Sequence, residues 1–285
     1  MNSAFLISPS GYTDKTKLEI SLDTLKKMGF QVKYLKGINE KFHYYAGDFK
    51  RRYKEINYAY KDKSSNIIFC TRGGMGAIHT LPFLDYRFIK KSQKILVGLS
   101  DITILLNTIY QKTGNRCLHG PNIGKPFDQF HKKTISCLFN VINKKGYAVK
   151  FKKEDILNEG KAKGEIIGGN ISLLERSLGT PYEINTKHKI LFLEEYEMKD
   201  RLVYDILWQL KIAGKFNHVR GIILGYFTNC GEDINSYILD FFKNFNIPII
   251  KNQPFGHEEP NLTIPLGETC LINTKELTWE IRFKH

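Results

Sequence analysis

The chain has 285 residues and a mass of 33.0 kDa, which predicts one large domain or two domains of ordinary size. A hydrophobic share of 42% and a charged share of 25% are typical of globular proteins and exclude a disordered, collagen-like or coiled-coil chain. The formal net charge of +14 predicts an anionic partner, which would be nucleic acid, an anionic membrane or an acidic small substrate.

Cysteine usage and the amino terminus indicate where the protein works. The five cysteines are scattered, with no C-x-x-C pair, so we expect reduced thiols rather than disulfides or a zinc cluster. The first ten residues lack the basic and long apolar regions of a signal peptide, and no apolar run is long enough to span a membrane. We therefore expect a cytoplasmic protein without a membrane segment.

The first half alternates short apolar runs with amphipathic stretches. Strands are predicted at 4–7, 31–35, 66–70 and 94–98, and helices at 17–28 and 101–112. A recurring order of strand, glycine-bearing turn and helix is typical of an α/β domain, in which helices flank a mostly parallel sheet. We place this domain at residues 1–148.

A change of composition to Lys, Glu and Gly predicts a linker at residues 149–164. The following domain, 165–285, has apolar runs at 189–193, 219–227 and 247–250, and a helix at 200–212. Its closely spaced strands and frequent turns indicate a β-rich α+β domain.

A serine follows the strand at 94–98, in the sequence Gly98-Leu99-Ser100-Asp101. A tight turn into the next helix would expose the Ser100 hydroxyl and aim free N–H groups of the helix start at the same point, which is the geometry of a nucleophile elbow. The second glycine of G-x-S-x-G is missing, and a helix cap by Ser100 or Asp101 explains the same residues.

Three glycines occupy four positions in Arg72-Gly73-Gly74-Met75-Gly76, again after a strand. Glycine permits positive φ and lets a backbone N–H approach a ligand closely, although an ordinary tight turn uses it in the same way. The spacing does not match G-x-G-x-x-G and no G-K-[ST] follows, so neither a dinucleotide nor a phosphate site is predicted.

A nucleophilic serine needs a base and a carboxylate that orients it. His257 lies in a loop rich in glycine and proline that would hold its side chain in one direction, and His119 is the competing candidate. Glu194 and Glu195 end the apolar strand at 189–193. Strand alternation lets only one of them face the site, and the residues themselves do not decide which.

Together, these motifs resemble the serine LD-carboxypeptidase family, which contains muropeptide carboxypeptidases and microcin C immunity peptidases. The resemblance runs in the family's order over nearly the whole chain. The matching segments are 8–10, 72–76, 81–85, 98–101, 119–121, 168–174, 179–180, 193–195, 221–225 and 256–267.

The resemblance implies a catalytic triad of Ser100 as nucleophile, His257 as general base and acid, and Glu194 as the orienting carboxylate. It also implies an oxyanion hole formed by the backbone N–H groups of Gly74 and Asp101. The family's amino-terminal domain supplies the serine and its carboxy-terminal domain supplies Glu and His, so the site would lie between domains.

Substrate contacts are expected at the glycine-rich loop. Arg72 is the candidate clamp for a substrate carboxylate, with Gly73 and Met75 beside it. Met75 stands where the family often has tyrosine, and Glu195-Tyr196-Glu197 replaces its usual Asp-Val-Gly. These departures concern substrate contacts more than the triad.

The family's activity implies hydrolysis of the amide between meso-diaminopimelate and terminal D-alanine in murein tetrapeptides, during cell wall recycling. Such a mechanism needs no metal or other cofactor, and relatives of this type imply a homodimer. The positive charge fits a substrate with several carboxylates.

The sequence features also bear on two other functions. A microcin C immunity peptidase would cleave an aminoacyl-adenylate analogue with the same triad, but those relatives tend to be longer, with an added loop that holds the nucleotide. A non-catalytic basic protein that binds nucleic acid is disfavoured, because the lysines are spread over many segments and no recognised reader motif accompanies them.

Overall fold

The structure, a computed structural model, describes residues 2–284, so Met1 and His285, the outer ends of the two predicted domains, lie outside it. The chain divides after Lys132 into two compact units, which we call the amino-terminal and carboxy-terminal units. Between residues 2 and 284, no helix combines the length and the apolar character that crossing a bilayer requires. All five cysteines are buried thiols.

The amino-terminal unit contains five parallel strands in the order β7-β6-β5-β1-β2. Every residue of β5 and β6 is buried, as expected for central strands of a parallel sheet that is covered on both faces. The elements are β1 (Asn2–Ile7), α1 (Lys15–Lys27), β2 (Phe30–Lys33), β3 (Lys41–Phe42), β4 (Tyr45–Ala46), α2 (Phe49–Lys61), β5 (Ile67–Cys70), α3 (Tyr86–Ser92), β6 (Ile95–Gly98), α4 (Ile102–Thr113) and β7 (Cys117–His119).

The carboxy-terminal unit is built on an eight-stranded mixed sheet in the order β8-β16-β15-β10-β11-β12-β13-β9. Strands β10 to β13 run parallel, and the flanking strands pair antiparallel. The elements are α5 (Lys132–Ile142), β8 (Tyr147–Lys150), β9 (Ile156–Asn158), β10 (Lys161–Asn170), α6 (Ile171–Glu175), β11 (Ile190–Tyr196), α7 (Asp200–Ile212), β12 (Gly221–Thr228), α8 (Ile234–Phe242), β13 (Ile249–Ile250), β14 (Ile264–Pro265), β15 (Thr269–Asn273) and β16 (Thr278–Arg282).

The predicted fold class, an α/β domain followed by a β-rich domain, is confirmed. The two units divide after Lys132 rather than after residue 148, because α5 and β8 belong to the carboxy-terminal unit. The segment 149–164, which its composition suggests is a linker, contains β9 and parts of β8 and β10. Strand β8 and the start of β10 alternate exposed with less exposed residues, so Lys150, Lys161 and Lys163 face solvent and give these strands the composition of a linker.

Candidate active site

Ser100 occupies a strained turn between β6 and α4. Its φ is +67°, a left-handed conformation that non-glycine residues adopt uncommonly, and its carbonyl accepts the first hydrogen bond of the helix from Thr103 N at 2.8 Å. Because β1, β5 and β6 are parallel, the loops that follow them share one edge of the sheet. This is the local geometry that the nucleophile-elbow interpretation predicts.

The carboxylate of Asp101 joins three loops instead of capping α4. It makes no capping hydrogen bond, although Asp101 stands at the N-cap. Its Oδ2 accepts from Ser10 Oγ at 2.5 Å, after β1, and from Ala77 N at 2.8 Å, after β5. The buried Arg52 guanidinium supports the same loops by donating to Gly76 O at 2.6 Å. The main chain around Ser100 is therefore fixed from both neighbouring loops.

The glycine-rich loop passes directly over Ser100. A Cβ at Gly73 would lie 2.6 Å from Ser100 Cβ and 2.9 Å from its Oγ, so only glycine fits there. Gly74 has a φ of +121°. Within residues 2–284, the N–H groups of Gly74 and Asp101 donate to no other protein group. Two unused amides beside a serine hydroxyl are the elements that an oxyanion hole needs.

This packing predicts a large effect for a very small substitution, Gly73→Ala. The added methyl group meets the Cβ of Ser100 and the carbonyl of Leu99, so the serine turn must move. We expect kcat to fall by about a hundredfold, because a misplacement of about 1 Å has that effect on catalysis. Steady-state kinetics would measure it, with Gly29→Ala as a remote control: nothing lies within 4 Å of a Cβ there, and the strain of alanine at its φ of +86° falls on an exposed turn. Equal activities of the two variants would contradict the close approach.

The other candidate contacts of this loop are accessible. Arg72 is partly exposed, donates through Nη1 to Tyr12 O at 3.2 Å, and its guanidinium lies 5.9 Å from the ring centroid of Tyr44. Met75 is 44% exposed. Both side chains are therefore available to a ligand, and Arg72 keeps donors for a carboxylate.

In the carboxy-terminal unit, the structure brings Glu194 and His257 together. Glu194 is completely buried at the end of β11, and its Oε2 accepts a hydrogen bond of 2.7 Å from His257 Nδ1. The side chain of His257 is 13% exposed. A carboxylate on Nδ1 fixes the tautomer in which Nε2 is the free acceptor, which is the form that a general base requires.

Glu195 points to the opposite face of β11 and has a different set of contacts. Its carboxylate accepts from Asn170 Nδ2 at 2.6 Å and Ser172 N at 3.0 Å, which anchors the start of α6. Burial, and then the charge of Glu194, raise the pKa of Glu195. Beyond Leu193, the pairing of β11 with β12 shifts by one residue, because Leu193 pairs with Leu224 and Glu195 with Phe227.

The loop that carries His257 is held by internal hydrogen bonds. Gly256, with a φ of +120°, donates to Asn261 Oδ1 at 3.2 Å, and Leu262 N donates to Pro254 O at 2.8 Å. A Cβ on Gly256 would meet Glu194 Oε2 at 3.2 Å. The loop is therefore built to bring the imidazole against the buried carboxylate, as its glycine and proline content predicts.

Two opposing influences act on the His257 imidazole. Burial disfavours its charged form, but the negative charges of Glu194, Glu195 and Glu197 together outweigh burial, so the pKa of His257 is raised above its usual value of 6.5. Glu194 contributes most to the increase, both by its charge and by its hydrogen bond. Only the neutral imidazole can accept a proton, and this form prevails once the pH exceeds the raised pKa.

The predicted site residues thus form two groups, one in each unit. Ser100, Gly73, Gly74 and Asp101 belong to the first, and Glu194 and His257 to the second. The competing candidate, His119, is fully buried on β7.

Sequence reasoning assigned no role to Ser10 and Arg52, which support the main chain around Ser100. Ser10 carries a detectable signal, since it follows a strand, whereas Arg52 lies on a helix that resembles any basic surface helix until its burial is known. Within residues 2–284, no three His, Cys, Asp or Glu side chains are grouped to hold a metal ion.

Comparisons with known proteins cover both units. A probable murein peptide carboxypeptidase from Bacillus subtilis (strain 168) is 31% identical over 284 residues, covering 96% of this chain and 89% of that protein. The solved structure of muramoyltetrapeptide carboxypeptidase from Oxalobacter formigenes has the same fold, with a TM-score of 0.89 at 24% identity, covering 99% of each chain. The microcin C7 self immunity protein MccF, solved in complex with aspartyl sulfamoyl adenosine, gives a TM-score of 0.90 at 25% identity, covering 99% of this chain and 96% of that one.

Two family models match successive parts of the sequence. The LD-carboxypeptidase N-terminal domain matches residues 5–120, and the LD-carboxypeptidase C-terminal domain matches residues 163–272. Because these matches cover most of the sequence and follow one another in order, the chain belongs to the LD-carboxypeptidase family of peptidases.

Proposed function

We propose that the protein is a serine-type LD-carboxypeptidase that removes terminal D-alanine from murein tetrapeptides in cell wall recycling, within the cytoplasm. The observation that carries this proposal is the hydrogen bond of 2.7 Å between His257 and the fully buried Glu194. An imidazole that is oriented by a buried carboxylate is the general base of a serine hydrolase, and the strained turn at Ser100 supplies a suitable nucleophile.

In the proposed mechanism, Ser100 Oγ attacks the carbonyl carbon of the amide at meso-diaminopimelate, and His257 Nε2 accepts the proton of the hydroxyl. The N–H groups of Gly74 and Asp101 bind the oxyanion. His257 then gives the proton to the departing amine of D-alanine, leaving an acyl-enzyme on Ser100. A water molecule, deprotonated by His257, attacks this ester and releases the tripeptide.

The substrate class is supported by the relatives and by charge. The Bacillus subtilis relative is named as a probable murein peptide carboxypeptidase. The chain carries a formal net charge of +14, which favours encounters with a peptide that bears several carboxylates. Arg72 is the proposed clamp for the carboxylate of D-alanine, because it belongs to the glycine-rich loop and is partly exposed.

A second candidate is cleavage of an aminoacyl-adenylate analogue by the same residues. It is favoured by the similarity to MccF, which was solved with aspartyl sulfamoyl adenosine. The same nucleophile, base and oxyanion hole would serve, and only the groups that bind the leaving part of the substrate would differ.

A direct comparison of substrates tests both functions. The purified chain is incubated with murein tetrapeptide, with the same peptide ending in L-alanine, and with aspartyl sulfamoyl adenosine, and the products are measured by mass spectrometry. We expect loss of one alanine from the D-alanine peptide only. Cleavage of the nucleoside alone would replace the first proposal by the second, and equal release of L- and D-alanine would contradict LD specificity.

A further inference from the structure

Tyr196 contacts the catalytic histidine candidate, although the triad does not include it. It lies two residues beyond Glu194 on β11, and residues at i and i+2 of a strand share one face. The ring of Tyr196 is stacked on that of His257, with a centroid separation of 4.5 Å and an interplanar angle of 12°. The same face of β11 thus contacts the imidazole twice: Glu194 bonds Nδ1 at the edge of the ring, and Tyr196 covers one face of the ring.

The main chain at Tyr196 is held in place. Its backbone N–H donates to Glu195 Oε1 at 2.9 Å, and the residue pairs with Thr228 of β12. The interaction of its hydroxyl with the adjacent Glu197 carboxylate raises the pKa of Tyr196. The side chain is nevertheless 37% exposed, so burial alone does not account for its position.

The stacking supplies a restraint that the Glu194 hydrogen bond lacks. A single bond at Nδ1 leaves the imidazole free to turn about the line between Nδ1 and Oε2, and such a turn moves Nε2 out of the direction needed for proton transfer. A parallel ring on one side opposes this rotation. An aromatic face also attracts a cation, so the stack favours the imidazolium that forms during attack.

We propose that Tyr196 is a positioning residue that holds the His257 ring in the orientation required for proton transfer to and from Ser100. This role rests on the proposed function of His257 as general base. It adds to that function a residue whose aromatic ring, rather than its hydroxyl, is the active feature.

The test must separate the effect of the Tyr196 ring on His257 from the effect of the carboxylates near His257. The carboxylates of Glu194, Glu195 and Glu197 raise the pKa of His257. Tyr196→Phe and Tyr196→Leu both lose the hydroxyl and leave all three carboxylates unchanged. The two variants therefore differ only in the ring. Tyr204→Leu is the matched control, since it removes an aromatic ring that contacts Tyr237 and Phe241 on α8 of the same unit.

Two readouts are measured on the full chain: kcat with murein tetrapeptide, and the titration of the His257 ring by NMR without substrate. We expect Tyr196→Phe to retain kcat within about threefold, whereas Tyr196→Leu loses about tenfold, with a smaller change in KM. The pKa of His257 should fall by about half a unit in Tyr196→Leu only. Tyr204→Leu should change neither quantity.

Two results would overturn the role of Tyr196. One is identical behaviour of the Phe and Leu variants in both measurements, and the other is a loss in Tyr204→Leu as large as that in Tyr196→Leu. The NMR titration needs no turnover. It therefore still tests the stacking if the tetrapeptide is not hydrolysed, a result that would contradict only the proposed function.

Discussion

Replacement of Ser100 by alanine is expected to lower kcat for the murein tetrapeptide by about four orders of magnitude or more, with little change in the melting temperature. Removal of the nucleophile leaves only the rate enhancement that binding and the oxyanion hole provide. The turn itself should persist, because the Asp101 carboxylate fixes the surrounding main chain through Ser10 and Ala77.

The measurement is single-turnover release of D-alanine, together with mass spectrometry after treatment with a serine-directed fluorophosphonate. Wild-type protein should gain one adduct, on Ser100, and the variant none. Ser64→Ala is a suitable control, because Ser64 is an exposed serine of the same unit whose Oγ bonds Asp62. Activity above about one per cent in Ser100→Ala would exclude this residue as the nucleophile.

The second large effect is expected for Glu194→Gln, which should lower kcat by about three to four orders of magnitude. Glutamine has nearly the same shape, so the buried site at the end of β11 stays filled. Its amide can donate to Nδ1, however, which transfers the imidazole proton to Nε2 and removes the acceptor that the reaction needs. Glu195→Gln is the matched control on the same strand, and its loss should be much smaller because Glu195 faces Asn170 and Ser172.

The pH profile gives an independent check of this role. In the wild type, kcat/KM should fall as the pH drops through the pKa of His257, which lies above 6.5 because the neighbouring carboxylates outweigh burial. In Glu194→Gln, the largest of these contributions is lost while burial remains, so the pKa should fall and the acid limb should move to lower pH. If the acid limb of the Glu194→Gln profile keeps the wild-type position or moves to higher pH, the assignment of His257 and Glu194 as a pair is contradicted.

The fold of the amino-terminal unit could be predicted because its strands are short, apolar and bounded by glycine. The helix predicted at 200–212 coincides with α7, since its apolar spacing is strong and its ends are polar. Strand β10 is not predicted from the sequence, because three glycines and several charged residues interrupt its apolar pattern. Gly168 shows why glycine is needed, since a Cβ there would lie 1.9 Å from Phe192 O on the neighbouring strand.

The residue types of the candidate site could be predicted from the sequence, but the residues that hold them in position could not. Ser100 and His257 stand in turns whose glycines and prolines are visible in the sequence. The choice between Glu194 and Glu195 depends on which face of β11 meets the His257 loop, and that is a property of strand pairing. Arg52 and Tyr196 act through burial and stacking, which local spacing does not encode.

Two adjacent glutamates of β11 face opposite sides of the sheet. In this part of the strand, the number of residues therefore matters as much as their type. Glu194 serves the reaction and Glu195 anchors α6, and one extra residue in β12 accompanies the change from one to the other. Because a slip of one residue turns every side chain of a strand to the other face, a single deletion here would exchange the two carboxylates. Insertions and deletions at this point should therefore be tolerated far less than substitutions of the neighbouring apolar residues.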